Sequence, residues 1–129
     1  MRFINPETFP VPRGYNNGVL ATPGEILFVA GQIGWDSQAR IVSDRFADQF
    51  DQALANVLTV VTSAGGTPQS LVRLTIFVTE RAEYVAQQRE IGERYRQRLG
   101  KHVPAMTLVE VKALLEPGAK VEIEAVAVI

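Results

Sequence analysis

The stretch Pro104-Ala-Met-Thr-Leu-Val-Glu-Val-Lys-Ala-Leu-Leu-Glu-Pro-Gly-Ala-Lys-Val-Glu-Ile-Glu-Ala-Val-Ala-Val-Ile129 decides the fold, because it holds two β-rich runs separated by a turn. The Pro117-Gly118 pair cannot continue either run, which predicts two strands joined there. Alternate residues of a strand share a face, so one side of the last strand is entirely apolar. That predicted core face holds Val121, Ile123, Ala125 and Ala127.

The opposite face of the last strand mixes acids with apolar groups, since Glu122 and Glu124 alternate with Val126. A surface of this kind suits neither solvent nor an ordinary core, and it usually marks an interface or a site. We expect the same face of the sheet to continue into the preceding strand through Met106 and Glu110.

Composition limits the range of functions. The chain has 129 residues, 47% of them apolar, a formal net charge of −1 and no cysteine. These values predict one domain over residues 1–129, with no bulk attraction to nucleic acid and no thiolate chemistry. No apolar run approaches the roughly 20 residues that span a bilayer. We expect a soluble, cytoplasmic protein without a metal, because one histidine, His102, cannot form the usual ligand cluster.

Three segments define the middle of the chain. The apolar run Ile26–Ile33 predicts a central strand buried on both faces. A helical period follows from Ser43 or Asp44, and it ends before Gly65. The next strand, residues 71–79, alternates Val72, Leu74, Ile76 and Val78 with Arg73, Thr75 and Phe77.

A second helix is predicted from about Glu83 to Leu99, and two short strands precede the apolar run. The order is therefore β-β-β-α-β-α-β-β, an α+β fold whose two helices cover one face of a sheet. The other face needs a partner, and a symmetric homo-oligomer with sites at its subunit junctions is the commonest solution. The arginines of the second helix predict a solvated face.

Glu122 and Glu124 have two interpretations. One of them could act as a general acid or base if apolar neighbours raise its pKa. Ion pairing with Arg73, Lys112 or Lys120 is the more frequent role of such carboxylates. No nucleotide-binding fingerprint or hydrolase triad accompanies them.

Several motifs together are similar to those of the YjgF/Rid family of reactive-intermediate deaminases, and they follow the family order along the whole chain. The motifs are Gly14-Tyr15, Phe28-Val-Ala-Gly-Gln-Ile-Gly34, Gln52-Ala-Leu-Ala-Asn56, Ala64-Gly65, Pro104-Ala105 and Val121-Glu-Ile-Glu-Ala-Val-Ala127. The resemblance implies a chorismate-mutase-like fold and a homotrimer with an inner β-barrel. It also implies a small-molecule cleft at each subunit junction.

Active members of that family hydrolyse enamines and imines to a keto acid and ammonia without a cofactor. The resemblance assigns Glu122 to positioning the attacking water, and Tyr15 and Gly31 to the pocket. The family arginine that binds the substrate carboxylate falls at Met106 here, and its serine falls at Ala30. Loss of a bidentate guanidinium weakens carboxylate binding, so small 2-imino acids are expected to be poor substrates.

The remaining candidate residues concern this altered pocket. A more apolar pocket, which accepts a larger or less charged ligand, is predicted from Met106, Ala30 and Trp35. Packing in the core explains these three residues equally well. A family asparagine aligns with Gln88 or Arg89, and Arg89 is the candidate replacement for the missing cation.

We therefore expect a divergent Rid-type protein that hydrolyses or binds an enamine, imine or related reactive metabolite. The alternative is a non-catalytic trimer that binds a metabolite or a partner. A role in RNA cleavage or translation ranks third, because the chain has neither a basic stripe nor a histidine pair.

Overall fold

The centre of the protein is a four-stranded sheet. The computed structural model describes residues 1–129, and its main sheet has the strand order β3-β6-β4-β5. These strands are β3 (Ile26–Ile33), β4 (Leu71–Val78), β5 (Ala105–Glu110) and β6 (Val121–Val128). β4 and β5 are parallel, whereas β6 is antiparallel to both of its neighbours. Two short strands, β1 (Arg2–Ile4) and β2 (Gly18–Leu20), pair separately.

The helices are α1 (Phe46–Ser63), α2 (Arg81–Ala86) and α3 (Gln88–Leu99). The expected order of elements is confirmed, except that the second predicted helix is broken at Gln87. The side-chain Oε1 of Gln87 accepts a hydrogen bond of 2.8 Å from the backbone N–H of Ala47, so the break caps the first turn of α1. None of the helices is both long and apolar enough to cross a membrane.

The core lies between the helices and one face of the sheet. The periodic apolar face predicted for the first helix is confirmed, because Phe46, Phe50, Ala53, Leu54, Val57 and Val61 are all buried. The predicted core face of β6 is confirmed as well, with Val121, Ile123, Ala125 and Ala127 buried against them.

Two strand assignments are wrong. β3 is an edge strand, and Ile26 and Phe28 on one of its faces are 62% and 75% exposed. A continuous apolar run predicts a strand that is buried on both faces, although the chain itself covers only one face of β3. In β4 the register shifts between Leu71 and Arg73, so Leu71 enters the core in place of Val72.

The predicted placement of Met106 and Glu110 is also wrong. In the β4–β5 pair, Met106 lies beside Leu74 and Glu110 lies beside Val78, which puts both on the helix-covered face. Met106 packs against the core, and Glu110 accepts a hydrogen bond from the backbone N–H of Arg81 at the start of α2. Strand alternation separates two sets of residues, but the pairing with β4 decides which set faces the helices.

The sheet face without helices is called the open face below. The predicted placement of Arg73, Phe77, Glu122 and Glu124 on this face is confirmed by the register. The open face also carries Phe28, Ala30, Thr75, Ala105, Thr107, Val109 and Val126.

A buried glutamine connects α1 to the loop before β6. Gln49 is fully buried, and its Nε2 donates to the carbonyls of Ser43 and Gly118 at 2.9 and 3.0 Å. Its Oε1 accepts from the backbone N–H of Lys120 at 2.8 Å. Gly34 approaches this residue so closely that an added Cβ would lie 2.6 Å from the Gln49 Cα.

Candidate functional site

Glu122 and Gly31 meet at the irregular part of β3. The β3–β6 register shifts between Val29 and Gln32, which is where Gly31 lies. A Cβ at Gly31 would collide with the Glu122 carboxylate, so the absence of a side chain makes room for it. Glu122 is half-buried, and no side-chain hydrogen bond or ion pair within the chain involves it. Its oxygens are therefore available to accept hydrogen bonds from water or a ligand.

A second site lies on the helix-covered side, between β5 and the helices α2 and α3. It is a cleft of about 390 Å³, called the α3 cleft below. Phe50, Ile76 and Ile91 form an apolar floor, and each is nearly inaccessible to solvent. The other lining residues are Gly14, Tyr84, Gln88, Gly92, Tyr95, Arg96, Gly100, Lys101, Val103 and Met106.

Two groups beside the α3 cleft are held by structural contacts. The Tyr95 hydroxyl donates to the carbonyl of His102 at 3.0 Å, and burial raises the pKa of Tyr95 well above its usual range. The Nε2 of His102 lies 2.7 Å from the carbonyl oxygen of Leu71. Tyr95 thus connects α3 to the loop that follows it, and His102 connects that loop to β4. Tyr95 stays neutral at ordinary pH.

Of the predicted pocket residues, Met106 lies in the α3 cleft and Gln88 lines it as well. Arg89 does not line it. The Arg89 side chain is 95% exposed, and its Nε lies 3.6 Å from the carboxylate of Glu93. Within the chain, its guanidinium is not positioned beside Met106.

The other predicted pocket residues lie elsewhere. Ala30 borders a depression on the open face that also holds Arg73 and Glu124. Trp35 is half-buried, and its carbonyl accepts a hydrogen bond from Asn56. Tyr15 is 40% exposed in the proline-rich loop near the N-terminus. One chain therefore does not bring the whole predicted set together, because Glu122 and Met106 lie on opposite faces of the sheet.

The sequence pattern of α3 predicts one solvated face of arginines, and it does not predict the cationic residues of the α3 cleft. Arg94 and Arg98 instead pair with Asp48 and Asp51 of α1, at 2.8 and 2.6 Å. No spacing signal in the sequence separates Arg96 from the paired arginines, since Arg98 also has no acid four residues away and Glu93 lies three residues before Arg96.

The chain is similar in sequence and fold to several known proteins. The Endoribonuclease L-PSP family model matches residues 8–129. The human protein named 2-iminobutanoate/2-iminopropanoate deaminase is 30% identical over 115 residues, which cover 88% of this chain and 79% of that protein.

Two crystal structures are also similar. The Rid-family protein YyfB of Yersinia pestis has a TM-score of 0.87 and 32% identity, covering 99% of this chain and 98% of that one. Escherichia coli TdcF with bound serine has a TM-score of 0.69 and 30% identity, covering 100% and 99%.

Proposed function

Because the chain belongs to the Endoribonuclease L-PSP family, also known as YjgF/Rid, we propose that it hydrolyses a reactive enamine or imine at junctions between subunits of a homotrimer. The name of the human relative, a deaminase of two 2-imino acids, supports this class of reaction. The reaction needs water and no cofactor.

Glu122 carries the proposal, because its carboxylate is half-buried beside Gly31 and has no partner in the chain. In the proposed step, Glu122 orients a water whose oxygen adds to the imine carbon. Glu122 accepts a proton from this water and passes it to the nitrogen, the second water proton follows, and the carbon–nitrogen bond breaks. The nitrogen leaves as ammonia, and the water oxygen becomes the oxygen of the ketone. Tyr15 and the backbone N–H groups near Gly31 shape the pocket.

The placement of the two candidate regions supports a site shared between subunits. Glu122 faces the open side of the sheet, whereas the α3 cleft lies on the helix side. A neighbouring subunit that covers the open face can bring its own α3 cleft to Glu122. Phe28, 75% exposed in the isolated chain, supports burial of this face against another copy.

Met106→Arg tests whether the residue at this position limits the choice of substrate. We expect wild-type protein to act slowly on small 2-imino acids, and the arginine variant to act about tenfold faster, since a guanidinium binds a carboxylate by charged hydrogen bonds. The assay generates imines with an amino-acid oxidase and follows their loss.

Met106→Leu is the matched control, because leucine keeps the packing against the core without adding a charge. A wild-type rate on small 2-imino acids that the arginine variant does not exceed would contradict the role given to Met106.

A non-catalytic binding trimer is the second candidate. The apolar Met106 in the cleft favours it, because the position that the family resemblance assigns to binding the substrate carboxylate carries no charge here. Ligand binding without any acceleration of imine loss would support this candidate over hydrolysis.

A further inference from the structure

We propose that the α3 cleft binds a carboxylate with a large apolar body, and that Arg96 and Lys101 hold the charged end in place of a cation at residue 106. This inference deepens the function proposed above. It relies on that function for the hydrolysis of the ligand, but not for the binding of the carboxylate in the α3 cleft. Its substrate class is 2-imino or 2-keto acids with branched or aromatic side chains.

The charges lining the α3 cleft support an anionic ligand. Arg96 and Lys101 lie at the cleft, and no aspartate or glutamate lines it. Each of the other arginines of α3, Arg89, Arg94 and Arg98, has a carboxylate oxygen within 4.0 Å. Arg96 and Lys101 have none, so both positive charges are free to pair with a ligand.

Gly92 supports a role for Arg96 in particular. Gln88, Gly92 and Arg96 are spaced four residues apart along α3, and all three line the cleft. The Arg96 guanidinium extends back toward Gly92, where an added Cβ would lie 3.3 Å from Nη1. Glycine inside a helix is destabilising relative to alanine, so its presence here is consistent with a need for open space beside the guanidinium.

The apolar floor and the size of the cleft indicate the rest of the ligand. Phe50, Ile76 and Ile91 are 2–4% exposed beneath a volume of about 390 Å³. Pockets that enclose most of a drug-sized ligand begin at roughly 300 Å³, well beyond the needs of a three-carbon acid. Met106 adds an unbranched, adaptable side chain that can pack against a bulky group.

The test is isothermal titration of the full-length protein with 3-phenylpropanoate, propanoate and 3-phenylpropanamide. We expect 3-phenylpropanoate to bind at least about tenfold more tightly than either of the others, since only it offers both an apolar body and a charge. Arg96→Gln is expected to weaken 3-phenylpropanoate binding about tenfold and to leave the amide unchanged. Arg81→Gln, an exposed arginine outside the cleft, serves as the control.

The proposal is overturned if the wild type does not bind 3-phenylpropanoate at millimolar concentration, or if wild type and Arg96→Gln bind it equally. It is also overturned if Arg89→Gln, and not Arg96→Gln, weakens the binding of 3-phenylpropanoate. Failure of the proposed hydrolysis is a separate result. A Glu122→Gln variant that keeps the wild-type rate would remove the catalytic proposal, while the binding difference at Arg96 would stand.

Discussion

Glu122→Gln is expected to lower the rate of imine hydrolysis by about a hundredfold or more, because general acid–base groups commonly contribute factors of that size. Glutamine keeps the shape of the side chain beside Gly31 but cannot accept a proton from the attacking water. The measurement is the rate of imine loss in the oxidase-coupled assay, with a branched or aromatic amino acid as the oxidase substrate.

Glu124→Gln is the matched control on the same strand and the same face, where the side chain is exposed. We expect its rate to stay close to that of the wild type. A rate for Glu122→Gln equal to that of Glu124→Gln would contradict the role assigned to Glu122.

Gln49→Ala is expected to lower the free energy of unfolding by about 3 kcal/mol, because it removes a fully buried side chain together with its three hydrogen bonds to backbone groups. The affected groups are the carbonyls of Ser43 and Gly118 and the N–H of Lys120. Urea denaturation at fixed protomer concentration measures the change, since stability of an oligomer depends on concentration.

Gln52→Ala is the control for this prediction. Gln52 lies on the same helix, is half-buried and bonds only to the side chain of Asn56. We expect its loss to change stability by less than about 1 kcal/mol. A Gln49→Ala protein as stable as the Gln52→Ala protein would show that the three hydrogen bonds of Gln49 contribute little.

Regular patterns were the predictable part of the fold. The first helix and the core face of β6 could be identified from the sequence because their apolar residues repeat with the period of the element. The family assignment from the motifs is confirmed as well. Gln49 was not identified as a core residue, because a glutamine in the first turn of a helix usually faces solvent. Two of its three hydrogen-bond partners come from a loop about 70 positions further along the chain.

The faces of β3 and β5 could not be predicted from one strand at a time. Alternation separates Met106 from Thr107, but the parallel pairing with β4 determines that Met106 faces the helices. The unpaired charge of Arg96 could not be predicted from the sequence for a similar reason. Its lack of an acidic partner becomes clear only when α1 is seen to supply Asp48 and Asp51 to Arg94 and Arg98.

The central claim, an active site shared between two subunits, is tested most directly by subunit complementation. Glu122→Gln disables the carboxylate side of the site, and Gly92→Phe fills the α3 cleft, where an added Cβ meets only the flexible end of Arg96. Each variant alone should be nearly inactive, whereas mixed trimers should regain imine hydrolysis at junctions that combine two intact halves. Mixed trimers that remain as inactive as the separate variants would contradict the shared site.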